Sequence, residues 1–297
     1  MSATVGSALE DAAATLSAAG SESPRLDAEL LLGAVLGFSR ARIVAERRLL
    51  LGPQDAAAFA ALVGRRRRRE PVAYLLGERE FWSLDLAVDP RVLVPRPETE
   101  RLVEVALETI VRSPSTPGGR PWRVADVGTG SGAIALALAT SAPPGSRGIV
   151  FATDRSAGAL RVAAANVARH RAALQWPVVA LRADLLSAMA PATLDLVLSN
   201  PPYLSPDDMV AAPPELAFEP VAALAGGDPD GLGVVRALGG QAGGVLRPGG
   251  FLACEIGAGQ GAAAVECFSS DIWRDPAVVR DIEGRDRVVV ARRDPLA

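Results

Sequence analysis

With 297 residues, 49% of them hydrophobic and 22% charged, the chain has room for one large domain or two and enough apolar side chains to bury a full core. A net charge of −3 argues against a protein that grips duplex nucleic acid over many phosphates, which needs a positive field, although a local patch is still allowed. A single histidine, His170, and two cysteines, Cys254 and Cys267, at no metal-ligand spacing remove the usual ingredients of histidine triads, metal centres and disulfide frameworks, and predict a reducing, cytoplasmic setting.

The chain opens without a basic stretch followed by an apolar core, so no signal peptide is expected, and no apolar run is long enough for a membrane span. Up to Leu76 the apolar residues recur at helical spacing through Ala8–Ala19, Leu26–Leu36, Arg40–Arg48 and Asp55–Arg69. Breaks at Gly20–Pro24, Gly37 and Gly52-Pro53 punctuate them, and Ser23 and Asp55 are candidate helix N-caps. Residues 1–76 are therefore expected to form a small helical bundle. The basic run Arg65–Arg69 closes its last helix, as a solvated terminus favoured by the helix dipole or as a contact for an acidic partner.

Residues 77–96 change character. Glu80–Val88 alternates, Asp89-Pro90-Arg91 offers a turn, and Val92-Leu93-Val94 follows, which predicts a β-hairpin linker with Phe81 and Trp82 in an interdomain core. Pro97 with Glu98 and Glu100 makes a good helix start whether or not Pro95–Glu100 also touches a ligand. A helix over Leu102–Val111 and a Pro/Gly/Ser loop over Ser113–Pro121 come next.

Residues 97–297 then alternate strands and helices. Strands are expected at Val124–Val127, Ile149–Thr153, Val178–Arg182, Leu194–Leu198, Gly250–Ile256, Ala277–Asp281 and Arg287–Ala291. The intervening helices are Gly132–Thr140, Ala157–Ala172, Leu232–Val245 and Gln260–Phe268, with His170 as a solvated residue on the second. This order implies an α/β fold with a doubly wound, mostly parallel seven-stranded sheet. The short Ile282–Asp286 link makes the final pair of strands an antiparallel hairpin, so the last strand runs against the others, as in class I methyltransferases.

Two strand ends carry chemistry. Val124–Val127 runs into Gly128-Thr129-Gly130-Ser131-Gly132 and a helix; such a turn lets backbone approach a ligand, and the helix start presents N–H groups to an anion. That anion is the carboxylate of S-adenosylmethionine in a methyltransferase or a pyrophosphate in a dehydrogenase. Asp154, after the second strand, suits the ribose of either cofactor, and Asp184, after the third, lies where an adenine edge would fall.

Asn200-Pro201-Pro202-Tyr203, at the end of the fourth strand, separates the two readings. A planar amide or aromatic NH2 attacks a methyl group poorly because its lone pair is delocalised. The Asn200 side-chain carbonyl and the Pro201 backbone carbonyl can each accept one of its N–H bonds, the prolines stiffen the backbone that aims them, and Tyr203 can stack on the planar group. This chemistry needs no strong base.

From about residue 25 onward the chain resembles the HemK/PrmC protein-(glutamine-N5) methyltransferases that modify peptide-chain release factors. The resemblance is carried by Arg25–Leu31, Glu70–Gly77 leading into Glu80–Trp82, Pro95–Glu100, Asp126–Gly132 and Asn200–Tyr203. It continues through Phe218–Pro220, Ala223-Leu224, Asp230–Leu232, Leu246–Gly250 and Gly284–Val288. It implies S-adenosylmethionine as cofactor, held by Gly128–Gly132, Asp154, Leu185 and Asn200, and the glutamine of the Gly-Gly-Gln motif of class 1 release factors as acceptor, held by Asn200–Tyr203. Relatives often carry an aromatic residue where this chain has Leu185, so adenine packing there would be aliphatic. An adenine-N6 DNA methyltransferase would use the same four residues on a flipped base, but Leu204–Ala225 is short for a target-recognition region, and no direct DNA binding is expected. A noncatalytic ribosome- or factor-binding module is the remaining alternative, against which the intact motifs weigh.

Overall fold

The computed structural model describes residues 3–112 and 119–296; most of the loop expected at Ser113–Pro121 lies outside the described residues. The chain divides into two compact units. The first runs to Glu78 and takes in Pro213–Phe218, and the second holds Arg79–Ala212 and the chain from Glu219 onward.

The first unit is built on five helices: α1 (Val5–Ala18), α2 (Pro24–Leu36), α3 (Arg40–Ala45), α4 (Pro53–Arg67) and α5 (Val72–Leu76). Their starts and stops are chemical. Thr4 and Ser7 form a capping box at the head of α1, and Gly37 ends α2 in the left-handed region. Ser23 does sit at the N-cap of α2, but its hydroxyl bonds the Asp27 carboxylate rather than a backbone N–H. Gly52, not Asp55, caps α4; Pro53 opens the helix and Asp55 sits in its first turn. Leu9, Leu16, Leu31, Leu32, Ile43 and Phe59 form the shared core.

Arg65–Arg69 is mostly consumed inside this unit instead of being solvated. Arg65 bonds Glu70, while Arg66, only 7% exposed, pairs with buried Asp27 at 2.8 Å. Arg66 and Arg69 both bind Glu215 of the Pro213–Phe218 segment, at 2.9 and 2.8 Å. Only Arg67 and Arg68 of the run are exposed.

The second unit begins with the paired strands β1 (Glu78–Phe81) and β2 (Leu84–Ala87). Their turn is Trp82-Ser83, with φ of 55° and 59°, and not Asp89–Arg91; Val92–Val94 is not a strand. Two consecutive positive φ angles match the twist of a tight hairpin, and here residues without a glycine signature adopt them. Phe81 packs with Leu102, Ile110 and Trp176 inside this unit, so it is core of the sheet domain and not interdomain filler.

After α6 (Glu100–Arg112) come β3 (Trp122–Val127), α7 (Ala133–Thr140), β4 (Gly148–Asp154), α8 (Ala157–Arg169), β5 (Val178–Arg182) and β6 (Leu194–Ser199). The chain continues through α9 (Pro206–Ala211), α10 (Gly233–Val245), β7 (Leu246–Glu255), α11 (Gly261–Glu266), β8 (Trp273–Arg280) and β9 (Asp286–Arg293). His170, at the end of α8, is half-buried with Nε2 2.9 Å from the Asp85 carbonyl, so it packs on the hairpin instead of facing solvent.

The seven strands lie in the order β5-β4-β3-β6-β7-β9-β8. β3 is parallel to β4 and β6, β4 to β5, and β6 to β7, while β9 is antiparallel to both β7 and β8. One apolar layer joins α6 and α7 to the sheet, and a second forms with α10 and α11 around Phe268 and Trp273. β6 is buried along its whole length, which explains its continuous apolar pattern. From β3 the order runs outward to β4 and β5 on one side and to β6 on the other, so a crevice opens beyond the carboxyl ends of β3 and β6.

Candidate active site

β3 delivers the buried Asp126 to the sheet edge, and the chain then turns through Gly128, Gly130 and Gly132, with φ of 72°, 55° and 85°. Most of the turn's N–H groups are already spoken for. Those of Gly128 and Thr129 both donate to the Thr153 carbonyl at 2.9 Å, and that of Gly130 donates to the Asp154 carboxylate at 3.0 Å. Asp126 accepts from the Thr129 hydroxyl at 2.6 Å and from Ala135 N–H at 3.1 Å, binding strand end to helix start. Burial pushes the Asp126 carboxyl up to about 7. Asn166 fastens the turn from the side, donating to the carbonyls of Ser131 and Ala87 and accepting from Ala87 N–H.

Gly128, Thr129, Gly130 and Ser131 line a cavity of about 660 Å³, together with Asp154, Asp184 and Leu185. Gly132 is not among its lining residues. A Cβ there would sit 3.4 Å from the Ala163 Cβ, so this glycine serves the close approach of α7 and α8. Asp154 accepts one backbone N–H on each oxygen, from Gly130 and from Ser156, and keeps a lone pair on each for a diol. Leu185 holds φ of 50°, and its carbonyl accepts from the Thr153 hydroxyl. That left-handed turn aims an aliphatic wall at the cavity.

Asn200, Pro201 and Pro202 line the same cavity from the end of β6. The Ser199 hydroxyl ties β6 to β3 by donating to the Val127 carbonyl at 2.7 Å, which sets the two turns side by side. Asn200 donates through Nδ2 to the Thr99 hydroxyl oxygen at 3.0 Å. Tyr203 is the exception within its motif. It is absent from the lining; its hydroxyl donates to Glu255 Oε1 at 3.3 Å, and its carbonyl accepts from Gln260 Nε2 at 2.9 Å. Burial and the Glu255 charge hold the Tyr203 phenol far above its ordinary value, so it is no proton acceptor. Gly231 allows this packing: a Cβ there would lie 2.1 Å from the Tyr203 carbonyl oxygen.

Thr99, Glu255, Asn166 and Gln260 were not among the residues singled out from sequence. Glu255 had a signal, a carboxylate at the end of an otherwise apolar strand, 1% exposed and pushed up to about 7 by burial. Arg287 beside it opposes that rise and Glu98 adds to it. Thr99 lay inside Pro95–Glu100, where it closes a tight helical turn over Pro97–Thr99 ahead of α6. Arg96 and Val94 N–H both bind the buried Glu219 carboxylate, which clips this stretch to Glu219-Pro220 at the cavity rim.

The cavity fits S-adenosylmethionine in its chemistry. Asp154 offers acceptors for a ribose diol, Leu185 and Ala183 offer an apolar wall for a purine, and Ser131, Ala133 and Ile134 at the start of α7 offer the dipole end for a carboxylate. A doubly wound sheet with a reversed β9, an open glycine turn beside a carboxylate, and an amide at the adjoining strand end define a class I methyltransferase of planar nitrogen. A family model of the PrmC N-terminal domain matches residues 7–77, and one of the methyltransferase small domain matches residues 108–215. The release factor glutamine methyltransferase of Moorella thermoacetica is 41% identical over 98% of this chain and 99% of its own length. Its namesakes in Xylella fastidiosa (43%, over 94% and 97%) and Escherichia coli (40%, over 92% and 93%) agree. The fold is shared with the hMettl16 catalytic domain, solved with the MAT2A 3′UTR hairpin 6, at TM-score 0.54 and 14% identity over 82% of each chain. A methyltransferase from Pyrococcus furiosus shares it at TM-score 0.50 and 17% identity, over 71% of this chain and 89% of that one. The chain belongs to the release factor glutamine methyltransferase family and is an enzyme that uses S-adenosylmethionine. Among the described residues no helix is long and apolar enough to cross a membrane.

Proposed function

We propose that this enzyme methylates the side-chain amide nitrogen, N5, of the glutamine in the Gly-Gly-Gln motif of class 1 peptide chain release factors, and does so in the cytoplasm as part of translation termination. The observation that supports this most is the shared cavity: Asn200, Pro201 and Pro202 line it together with Gly128–Ser131 and Asp154. When bound, S-adenosylmethionine supplies an electrophilic methyl group. The chain's own residues do the rest by holding and aiming. Gly128, Thr129, Gly130, Ser131, Asp154, Asp184 and Leu185 hold the cofactor.

Asn200 Oδ1 and the Pro201 carbonyl accept the two N–H bonds of the glutamine amide, which fixes its plane and draws electron density onto nitrogen as it gains the methyl; the N-alkylated amide is then strongly acidic and loses one proton to water. Pro201 and Pro202 keep those acceptors stiff. Tyr203 contributes as the anchor of the motif's far end, through Glu255 and Gln260, rather than as a stacking surface over the cavity.

The direct test is incubation of the enzyme with labelled S-adenosylmethionine and either a class 1 release factor or duplex DNA. Label is expected on the factor's glutamine; label on DNA alone would make the enzyme an adenine methyltransferase.

A further inference from the structure

We infer that Gln260 is a positioning residue for methyl transfer: its side-chain amide joins the end of Asn200–Tyr203 to the loop Ala225–Gly233, and so fixes the spacing between two walls of the cavity. The inference rests on the glutamine-methyltransferase reading and adds what holds the acceptor half of that site in shape.

Gln260 stands at the N-cap of α11, just past the carboxyl end of β7, yet its side chain makes no capping bond to its own helix. Glutamine is also not a residue that helix starts select, so α11 gives no reason for it. The side chain is spent elsewhere. Its Oε1 accepts from Gly257 N–H at 2.8 Å, which settles which edge of the amide carries the NH2. Nε2 has two protons, and each goes to a backbone carbonyl, one to Tyr203 at 2.9 Å and one to Asp230 at 2.8 Å. Every hydrogen of this amide is therefore used to bring two distant stretches of main chain together. Gly231 clears the space: a Cβ there would meet the Tyr203 carbonyl oxygen at 2.1 Å and Gln260 Nε2 at 2.9 Å.

What the joint holds is cavity wall. Asn200, Pro201 and Pro202 line the cavity just before Tyr203, and Ala225, Gly226, Gly227 and Asp228 line it just before Asp230. The near ends of these stretches are already paired, since Leu204 N–H donates to the Leu224 carbonyl and Gly226 N–H to the Leu204 carbonyl, both at 2.9 Å. Beyond Gly226 the loop passes through Gly227 and Gly231 at φ of 90° and 74°, a stretch with little stiffness of its own. Gln260 fixes its far end against the motif. Among the described residues none of the loop's hydrogen bonds reaches Gly128–Gly132 or Asp154, so the joint supports the acceptor turn and not the cofactor turn. The Tyr203 carbonyl lies two residues past the Pro201 carbonyl that receives the acceptor amide, and methyl transfer tolerates little error in that placement.

The test is single-turnover transfer from labelled S-adenosylmethionine to a class 1 release factor by the full-length enzyme at saturating factor and cofactor. Cofactor Kd by calorimetry and stability by urea unfolding are measured on the same samples. Gln260→Met keeps the length and removes the amide; transfer should slow roughly 10- to 100-fold, with cofactor Kd changed less than about threefold. Gln260→Glu, the same size, sets an acceptor against both carbonyls and should lose as much; it carries the test if Gln260→Met does not fold. Gly231→Ala breaks the joint from the loop side, and in the Gln260→Met background it should cost less than about twofold more. Gly145→Ala is the control for left-handed strain alone, with φ of 79° and nothing within 4 Å of the added Cβ, and should transfer at the wild-type rate. An unchanged rate in Gln260→Met, a loss matched by Gly145→Ala, a cofactor Kd that weakens as far as the rate falls, or losses that multiply with Gly231→Ala overturn the joint alone. Wild-type enzyme that leaves the factor unlabelled overturns the underlying reading and the joint together.

Discussion

Gly128–Gly132 after β3 and Asn200–Tyr203 after β6 are neighbouring turns on one sheet edge, yet they are held in place by different means. The first is fixed mainly by backbone: glycines at positive φ, N–H groups bound to the Thr153 carbonyl, and a carboxylate from the next strand end. The second is fixed by side chains drawn from far along the chain, Thr99, Glu255 and Gln260, separated from their partners by 101, 52 and 57 positions. A backbone-built turn keeps its shape through most side-chain changes, whereas an acceptor built from aimed side chains loses its function when any one support is cut.

The largest expected effect tests the aimed half of that contrast. Asn200→Ala should lower the transfer rate by about 10²–10³-fold, the size of losing one acceptor directed at the reacting group. Cofactor affinity, by calorimetry, should move only a few-fold, and a near-normal rate would remove Asn200 from the acceptor role. The cofactor half is expected to respond in the opposite sense. Asp154→Ala deletes the acceptors proposed for the ribose together with the anchor of Gly130 N–H. Affinity should weaken by roughly 10- to 100-fold, as for charge-assisted hydrogen bonds, while the rate at saturating cofactor changes much less. If kcat collapses and Kd holds, the division of labour between the two turns is wrong.

The same contrast explains what was legible in the sequence. The glycine turn, Asp154 and Asn200–Pro202 announce themselves because each is a local pattern at a strand end, and the sheet order follows from the alternation of strands with helices. Supports that arrive through folding leave little local trace. Thr99 looked like part of a helix start, and Glu255 like one polar residue in an apolar strand. The Trp82-Ser83 turn lacks glycine, so the more turn-like Asp89-Pro90-Arg91 drew the hairpin to the wrong place. Arg65–Arg69 reads as a charged surface until Asp27 and Glu215, one upstream and one far downstream, take up Arg66. Tyr203 reads as an aromatic platform, and only the position of Glu255 turns its hydroxyl away from the cavity.

Gly132 sharpens the comparison from within the glycine turn, because it belongs to the turn but not to the cavity wall. An alanine there would be held at φ of 85° with its Cβ 3.4 Å from Ala163. Gly132→Ala should therefore lower folding stability by about 1–2 kcal/mol through left-handed strain. Cofactor affinity in the folded fraction should be nearly unchanged. Urea unfolding and calorimetry on the same sample separate the two, and lost affinity with intact stability would return Gly132 to the binding surface.

The last effect is a pH dependence that each turn contributes through one buried acid, Asp126 under the glycine turn and Glu255 under the acceptor turn. Burial raises both carboxyls to about 7 in the folded protein, against roughly 4 in the unfolded chain. A raised folded value means that the folded state binds protons more tightly. The associated stability is fully present below about pH 4 and is lost as pH rises through 7. Between pH 6 and 8 each acid should subtract about 1.4 kcal/mol of stability, since the folded group releases its proton over that interval and the unfolded one has none left to release. Carboxylates held low by arginines, such as Glu29 and Glu215, are ionised in both states across that range and add no slope. Glu255→Gln removes one of the two contributions, so its unfolding free energy should fall about half as steeply as that of the wild type from pH 6 to 8. Parallel slopes would mean that the Glu255 carboxyl is ionised throughout, held as a fixed acceptor by the Tyr203 hydroxyl and the Arg287 charge.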